Sequence, residues 1–594
     1  MIRIAVIDRE KCRAPNKCDY ICIRICPSQK NNIKVFSISE DKKPIIDENY
    51  CIGCGLCAKK CPFGAIKIIN LAKEPESFPV FQYGPNMFRL YRLPIPKAGY
   101  IVGIIGRNGM GKTTAIKILA GLLKPNFGEY NREFSEKEII ARFKGTELQN
   151  YFEKLYNKEI KLSYKPQDIT LFIKLYGEKT VKELFDKIED NKKELKEEVI
   201  KKLDIDKIIN RKVKELSGGE LQKVLIALTS LKDFNIYLLD EPTSYLDIFE
   251  RLRIATYIDS LKREDNSIIV IDHDLLFLDH ISDTIFIIYG VQRAYGVVSY
   301  PIGAREGINQ YLEGFIRREN LRIRDKPIRL DIKSFSDKKE GEKILEWKNL
   351  KINLGEFLLE ANEGYISKNT VVGVLGRNGI GKTTFAKAIA GIIKYDGYIS
   401  KEVSISYKPQ YLELSEGEKY ITVGEFLRKL NPDYKAQFNE YLFDLGISDL
   451  LDHELGSLSG GELQTVITFG CLIQDKDLYL LDEPFSYLDV EQRIRLSKFI
   501  REIIKQREKA ALVIEHDLLF LEYVSDKIIV FLGEPGKYGK VYGPMENNKA
   551  LNMFLKEVGI TIRRDPETKR PKINKPDSYL DRVQKSSGIY YQDF

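Results

Sequence analysis

Five short motifs occur twice in this chain, in the same order and at nearly the same spacing. The segment GRNGMGKTT at residues 106–114 returns as GRNGIGKTT at residues 376–384, 270 positions on. YKPQ ends at Gln167 and again at Gln410, LSGGE begins at Leu216 and Leu458, LLDEP contains Asp240 and Asp482, and HDLLFL begins with His273 and His516, all offset by 242 or 243. A period this long is a whole domain and not a solenoid unit, so the chain carries two copies of one domain in tandem. The first offset is 27 residues longer than the second, which puts an insertion in the first copy near residues 132–160. There Ser135 and Glu138 read as a capping box. Ile139, Ile140, Phe143, Leu148, Phe152 and Leu155 recur at helical spacing, with a break at Lys144-Gly145. Two short helices are expected, either a surface elaboration or a docking element that the second copy lacks.

Each G-x-x-x-x-G-K-T follows an apolar strand (residues 100–105 and 371–375) and opens a helix (114–122 and 384–392), the context a Walker A loop needs. Gly106, Gly109 and Gly111, with Gly376, Gly379 and Gly381, let backbone N–H groups curl around phosphates. Asn108, Asn378, Thr114 and Thr384 complete the two loops. Lys112 and Lys382 bring a positive charge to the β- and γ-phosphates, and Thr113 and Thr383 offer hydroxyls to magnesium. The strands at 235–239 and 477–481 run into Asp-Glu. Asp240 and Asp482 suit a magnesium ion, and Glu241 and Glu483 are placed to polarise an attacking water.

LSGGE, YKPQ, SYLD and a His-Asp after a strand resemble the ABC-type ATPases. That resemblance implies two cassettes facing head to tail, with ATP between them. Ser217 and Gly219 would then cap the nucleotide held by Lys382, and Ser459 and Gly461 the one held by Lys112. Gln167 and Gln410 would sense the γ-phosphate and magnesium, and His273 and His516 would touch the γ-phosphate. Asp247 and Asp489 would couple the two sites. Tyr83 and Phe88 are candidates to stack on adenine in the first copy. In the second, Leu354 stands where a Tyr might and Phe357 remains.

Eight of the nine cysteines lie in the first 61 residues. Cys51-x-x-Cys54-x-x-Cys57-x-x-x-Cys61-Pro has bacterial ferredoxin spacing, while Cys12, Cys18, Cys22 and Cys26-Pro precede it with wider gaps. Disulfides need an oxidising compartment, to which nothing targets the chain, and zinc more commonly takes two C-x-x-C knuckles. Two 4Fe–4S clusters are therefore expected. The ferredoxin pattern implies Cys12, Cys18, Cys22 and Cys61 on one and Cys26, Cys51, Cys54 and Cys57 on the other. Cys471 reads as a buried apolar residue.

No run of 18 apolar residues and no signal-peptide pattern occurs, so a cytoplasmic protein without a membrane partner is expected. The net charge of +8 permits a nucleic-acid partner without demanding one. Arg-rich stretches follow each copy, near residues 300–330 and from 533 onward, and the pair suggests hinges that meet phosphate backbone. The expected plan is α/β: a ferredoxin-like α+β iron–sulfur domain (1–75), a first ABC-type P-loop ATPase domain (76–298), a hinge (299–340), a second ATPase domain (341–532) and a C-terminal hinge (533–594).

Across its whole length the chain resembles the E subfamily of ABC proteins, the ribosome-recycling ATPases also called RNase L inhibitors, of archaea and eukaryotes. The resemblance implies a monomeric, magnesium-dependent ATPase. Its partners would be the small ribosomal subunit and its RNA, a release factor or the rescue paralogue, and initiation factors. Closure of the cassettes would swing the iron–sulfur domain and split the ribosome. An ATP-dependent electron carrier is the alternative from another class. A transporter subunit and a DNA-repair ATPase fit less well, for want of a membrane span and of a long heptad insertion.

Overall fold

The computed structural model describes residues 3–9, 11–70, 78–188, 193–231, 234–328, 341–400 and 403–592. The expected domain boundaries at 75/76 and 340/341 lie outside these residues. Each cassette is built on a sheet with a parallel centre. In the first, Leu162–Lys165, Ile236–Asp240, Ser267–Ile271, Tyr100–Gly106 and Thr284–Val291 run side by side in parallel. In the second, Ile405–Lys408, Leu478–Asp482, Ala510–Ile514, Thr370–Gly376 and Lys527–Glu534 repeat that order. The three central strands of each sheet are Val/Ile/Leu-rich and almost wholly buried, as parallel strands covered on both faces must be. Register places Asp240 opposite Ile271, and Ile271 opposite Ile104, so the loops that carry the repeated motifs leave the sheet at one edge.

The phosphate-loop helices run Lys112–Leu119 and Lys382–Ile389. Both begin two residues earlier and end three residues earlier than periodicity alone indicates. Gly111 and Gly381 cap them in left-handed backbone (φ 90° and 98°), and Gly121 and Gly391 (φ 71° and 72°) turn the chain out at the other end. In the insertion, Ser135 and Glu138 form a complete capping box on the helix Glu136–Arg142. A turn through Gly145 leads to a second helix, Glu147–Tyr156. Phe143 stacks on Phe152, and Phe152 on Tyr156, so the hairpin closes on an aromatic seam continuous with the first cassette's core.

The N-terminal module pairs Arg3–Ile7 with Ile66–Asn70 and Phe36–Ile38 with Pro44–Ile46. Asn86 is a buried polar contact between it and the first cassette. Asn86 accepts from the N–H of Ile46 (2.7 Å) and donates to the carbonyls of Ile46 (3.0 Å) and Ala5 (3.2 Å). Arg89 holds both oxygens of Glu48 at 2.8 Å beside it.

Each cassette is followed by a helix, Ala304–Glu313 and Asn547–Val558, ending at a left-handed glycine, Gly314 and Gly559. The chain after Gly559 folds back on the first cassette and its hinge. Arg570 is 1 % exposed and pairs with Asp279 at 2.9 Å, Lys572 meets the same carboxylate at 3.2 Å, and Arg305 meets Asp565 at 2.9 Å. Arg570 and Lys572 of this basic segment are therefore spent on internal pairs. Asp279→Ala leaves Arg570 buried without its counter-charge. A loss of about 3–5 kcal/mol is expected, read as an early first transition in urea unfolding followed by limited proteolysis of the C-terminal segment. An unchanged first transition would show that the pair does not hold the hinge.

Candidate functional site

Each Walker lysine is folded back into its own loop. Lys112 Nζ donates to the carbonyls of Gly106 and Arg107, both at 2.9 Å, and Lys382 Nζ to those of Gly376 (2.9 Å) and Arg377 (2.7 Å). Burial lowers the pKa of both ammonium groups, against the pull of nearby carboxylates. Thr113 Oγ1 donates to Asp240 Oδ2 at 2.9 Å and Thr383 Oγ1 to Asp482 Oδ2 at 2.7 Å. The other oxygen of each aspartate, Oδ1, is buried with no hydrogen-bond partner. Burial, aided by the adjacent Glu241, raises Asp240 to about 6. Asp482 is raised to about 6, again by burial first.

Glu241 and Glu483 stand in left-handed backbone (φ 48° and 49°), which an L-residue adopts only when its surroundings impose it. The imposing group is a buried lysine that sequence reading passed over. Lys165 Nζ donates to the carbonyls of Asp240 (2.8 Å) and Glu241 (3.0 Å), and Lys408 Nζ to those of Asp482 (2.6 Å) and Glu483 (3.1 Å). Their burial within YKPQ, at 1 % and 0 % exposure, has no signature in a motif written as polar. On the carboxylate side, Gln167 donates to Glu241 at 2.8 Å and Gln410 to Glu483 at 2.6 Å. His516 Nε2 lies 3.0 Å from Glu483 Oε1, and His273 Nε2 lies 3.4 Å from Glu241 Oε1. Burial pushes Glu241 and Glu483 upward, but the histidines and lysines around them outweigh it and hold both at about 2.

The two cassettes meet head to tail. Asp489 caps the helix Val490–Arg507 with Oδ1, and its Oδ2 accepts the Asn108 N–H of the opposite phosphate loop at 2.9 Å. Asp247 caps Ile248–Ser260 in the same way and accepts the Asn378 N–H at 2.6 Å. Asn108 and Asn378 side chains donate to the carbonyls of Tyr487 (3.2 Å) and Tyr245 (3.1 Å), and the two tyrosine hydroxyls meet at 2.9 Å. A cavity of about 530 Å³ results, lined by Lys112, Thr113, Gln167 and Glu241 of the first cassette and by Ser459, Gly461 and Tyr487 of the second.

Ser459 and Ser217 are N-caps of the helices Gly460–Leu472 and Gly218–Ser230, so each signature helix points its positive end outward at the facing loop. A Cβ on Gly219 or Gly461 would come within 3.0 Å or 2.8 Å of the carbonyl of Tyr245 or Tyr487. These glycines are therefore required by their own cassette's Tyr-bearing loop, besides any ligand. Phe88 and Phe357 lie under the phosphate loops, where a Cβ on Gly111 or Gly381 would come within 2.6 Å or 2.8 Å of them. Tyr83 is half exposed, with its hydroxyl 3.1 Å from Thr114 Oγ1, and Leu354 is exposed to a like extent.

The comparisons with known proteins agree with this geometry. The ABC transporter family model matches residues 96–244 and 359–486. Translation initiation factor RLI1 of Saccharomyces cerevisiae is 41 % identical, covering 99 % of this chain and 98 % of its own length. The chain belongs to the ABCE1/RLI1 family of ABC ATPases. Among solved structures, a model of ribosome-bound archaeal Pelota and ABCE1 matches with TM-score 0.92 and 45 % identity, covering 100 % of this chain and 99 % of that one. A crystal structure of archaeal ribosomal stalk protein aP1 with the archaeal ribosome recycling factor aABCE1 matches with TM-score 0.80 and 45 % identity, covering 88 % and 100 %. ATP hydrolysis is the activity of this family's cassettes. Among the described residues, no helix is long and apolar enough to cross a membrane.

The expectation of two 4Fe–4S clusters is corrected. The 4Fe-4S binding domain model matches one segment only, residues 44–67, and not a second. Among the described residues, no group of three or more His, Cys, Asp or Glu side chains is arranged to hold a metal ion. All nine cysteines are free. Cys12, Cys22, Cys26 and Cys57 are buried in the module's apolar core with Ile7, Val35, Phe36 and Ile46. Burial raises the Cys22 thiol to about 12 and the Cys57 thiol to about 11. Here the cysteines fit packing and do not fit the clusters.

The cross-cassette contact is directly testable. In Asp489→Ala, the Asn108 amide should exchange with deuterium faster while the Asn378 amide stays protected. The lost cap should also cost about 1 kcal/mol in thermal unfolding of the second cassette. Equal protection of Asn108 in both proteins would show that the contact does not bind the cassettes.

Proposed function

We propose that this chain performs its family's ATP-driven ribosome recycling as a two-site clamp that, with a release factor or its rescue paralogue, splits post-termination ribosomes and can stay on the small subunit into initiation. The reading is supported above all by one observation, a nucleotide-sized cavity with walls from both cassettes. ATP there would be held by Lys112 and Thr113 from one side and capped by Ser459 and Gly461 from the other. The matching set is Lys382, Thr383, Ser217 and Gly219. Binding two nucleotides would favour the closed pair over an open one by their differential affinity.

Magnesium would arrive with the nucleotide, held in part by its phosphates. The orphaned Oδ1 atoms of Asp240 and Asp482 and the hydroxyls of Thr113 and Thr383 suit it, and when bound it would neutralise charge on the transferring phosphate. Glu241 and Glu483 would orient the attacking water, with Gln167, Gln410, His273 and His516 holding each carboxylate in place. Closure supplies the mechanical step and hydrolysis resets it. The N-terminal module, seated on the first cassette, is the part such closure would drive against the ribosome.

Two measurements test this. Glu241→Gln with Glu483→Gln should bind ATP, split one round of ribosomes in a sedimentation assay and lose turnover at least a hundredfold. A doubly substituted chain that closes on ATP yet splits none would make hydrolysis the power step. A carboxyl raised to about 6 is protonated below that pH, and the proton then occupies the oxygen that magnesium needs. The apparent magnesium affinity for ATPase activity should thus fall about tenfold between pH 7 and pH 5. A flat profile would remove the aspartates from that role.

A further inference from the structure

One side chain joins all three parts of the molecule at the first composite site. Arg293 lies at the tip between Thr284–Val291 and Tyr295–Val298, in left-handed backbone (φ 62°). Its backbone N–H donates to the carbonyl of Gly109 in the phosphate loop at 3.0 Å. Its guanidinium reaches outward in two directions. Nη1 lies 3.6 Å from Asp8 Oδ2 of the N-terminal module, and Nη2 donates to Glu462 Oε1 of the second cassette at 3.0 Å.

Neither partner is a loose surface acid. Asp8 follows the strand Arg3–Ile7, donates its N–H to the Ala65 carbonyl at 2.8 Å and accepts the Lys11 N–H at 3.1 Å. Glu462 uses its second oxygen to accept the N–H (3.0 Å) and hydroxyl (2.7 Å) of the signature Ser459. A continuous polar path therefore runs from Asp8 through Arg293 and Glu462 to Ser459. It is supported underneath by Val6 of the module, packed against Ala294, Val291 and Tyr295.

The second site has no such path. The residue equivalent to Arg293 is Gly536, which keeps the backbone bond to Gly379 (2.9 Å) and has no side chain to extend. The residue equivalent to Glu462 is Glu220, held at 2.9 Å by Arg211 of its own cassette. Where the first cassette has Arg211, the second has His453, whose charge neighbours include Asp8, Lys11 and Arg13 of the module and Glu462 itself. The Arg211/His453 difference thus satisfies Glu220 within its own cassette and leaves Glu462 to pair with Arg293.

We propose that Arg293 is a positioning residue that ties the seating of the N-terminal module to the first composite nucleotide site and leaves the second uncoupled. Coupling of this kind is reciprocal: a nucleotide that orders Ser459 holds the module in its seat, and a module pulled from its seat loosens that nucleotide. The proposal rests on the clamp reading above.

The test uses the full chain without ribosomes. Glu241→Gln and Glu483→Gln, made separately, hold ATP in the first or the second site, and release of labelled ATP is timed in each. Adding Arg293→Gln should speed release from the first site roughly two- to fivefold, the range of a partly exposed charge pair, and leave the second unchanged. Asp8→Asn should act alike, the pair together should do no more than either alone, and Arg293→Lys should restore part of the retention. Equal effects at both sites, no effect at the first, or additive effects of the Asp8 and Arg293 changes would each overturn the proposal. Failure of both Glu→Gln chains to retain ATP would instead overturn the clamp itself.

Discussion

Everything in this molecule depends on two carboxylates that each serve two cassettes. Asp247 and Asp489 end their own loops by capping a helix, and each lends its remaining oxygen to the phosphate loop across the interface. A helix cap holds the side chain in one rotamer, so the cross-cassette acceptor is preorganised by the local fold. The cavity beside Lys112 takes its far wall from the other cassette. The chain is thus one device in two halves, and its duplicated motifs are complementary parts. Behind these contacts a continuous apolar core runs through both cassettes and the first hinge, so the interface is packed as an interior and not merely bridged.

The halves are alike in plan and unlike in detail. Thr243 anchors Asp272 by its N–H (3.2 Å) and its hydroxyl (2.8 Å to Oδ1) beside the first site. The second site has Phe485 and Glu515 there, and the longer Glu515 turns back to the His516 N–H at 2.8 Å. The change is paired, since Phe485 lacks the hydroxyl an aspartate would need. His516 sits closer to its glutamate than His273 does to its own. Arg251 pairs with Asp274 and Arg493 with Asp517 at 2.7 Å, and burial raises Asp517 to about 6. Such a charge cluster adds little net stability but makes other alignments of the cassettes costly, because each would bury an unpaired charge.

The N-terminal module reaches the nucleotide region through the loop that sequence reading gave to adenine. Asn86, three residues after Tyr83, takes a left-handed backbone (φ 53°) and is spent on the module's strands. The residue that seats the module thus lies on the same short segment as Tyr83 and Phe88, which face the phosphate loop and its helix. The module's cysteines, half of them buried, form much of the small core that its few aliphatic residues could not fill alone.

What the sequence by itself determined is the set of loops and the edge of the sheet they leave. Those features are local: a glycine-rich turn after an apolar strand, a serine and glutamate three apart, an aspartate-glutamate pair at a strand end. Periodicity and capping chemistry also marked the insertion's two helices, with their break at Gly145. Only the tertiary structure decided that Lys165 and Lys408 are buried props for the glutamate backbone, that Gly219 and Gly461 are needed by Tyr245 and Tyr487, and that Arg293 meets residues 285 positions before it and 169 after it. It also decided that Cys12, Cys22, Cys26 and Cys57 are buried in the module's apolar core, which spacing alone could not settle. A spacing states which residues can converge, whereas burial and partners are properties of the closed fold, set by chain segments that no local pattern brings together.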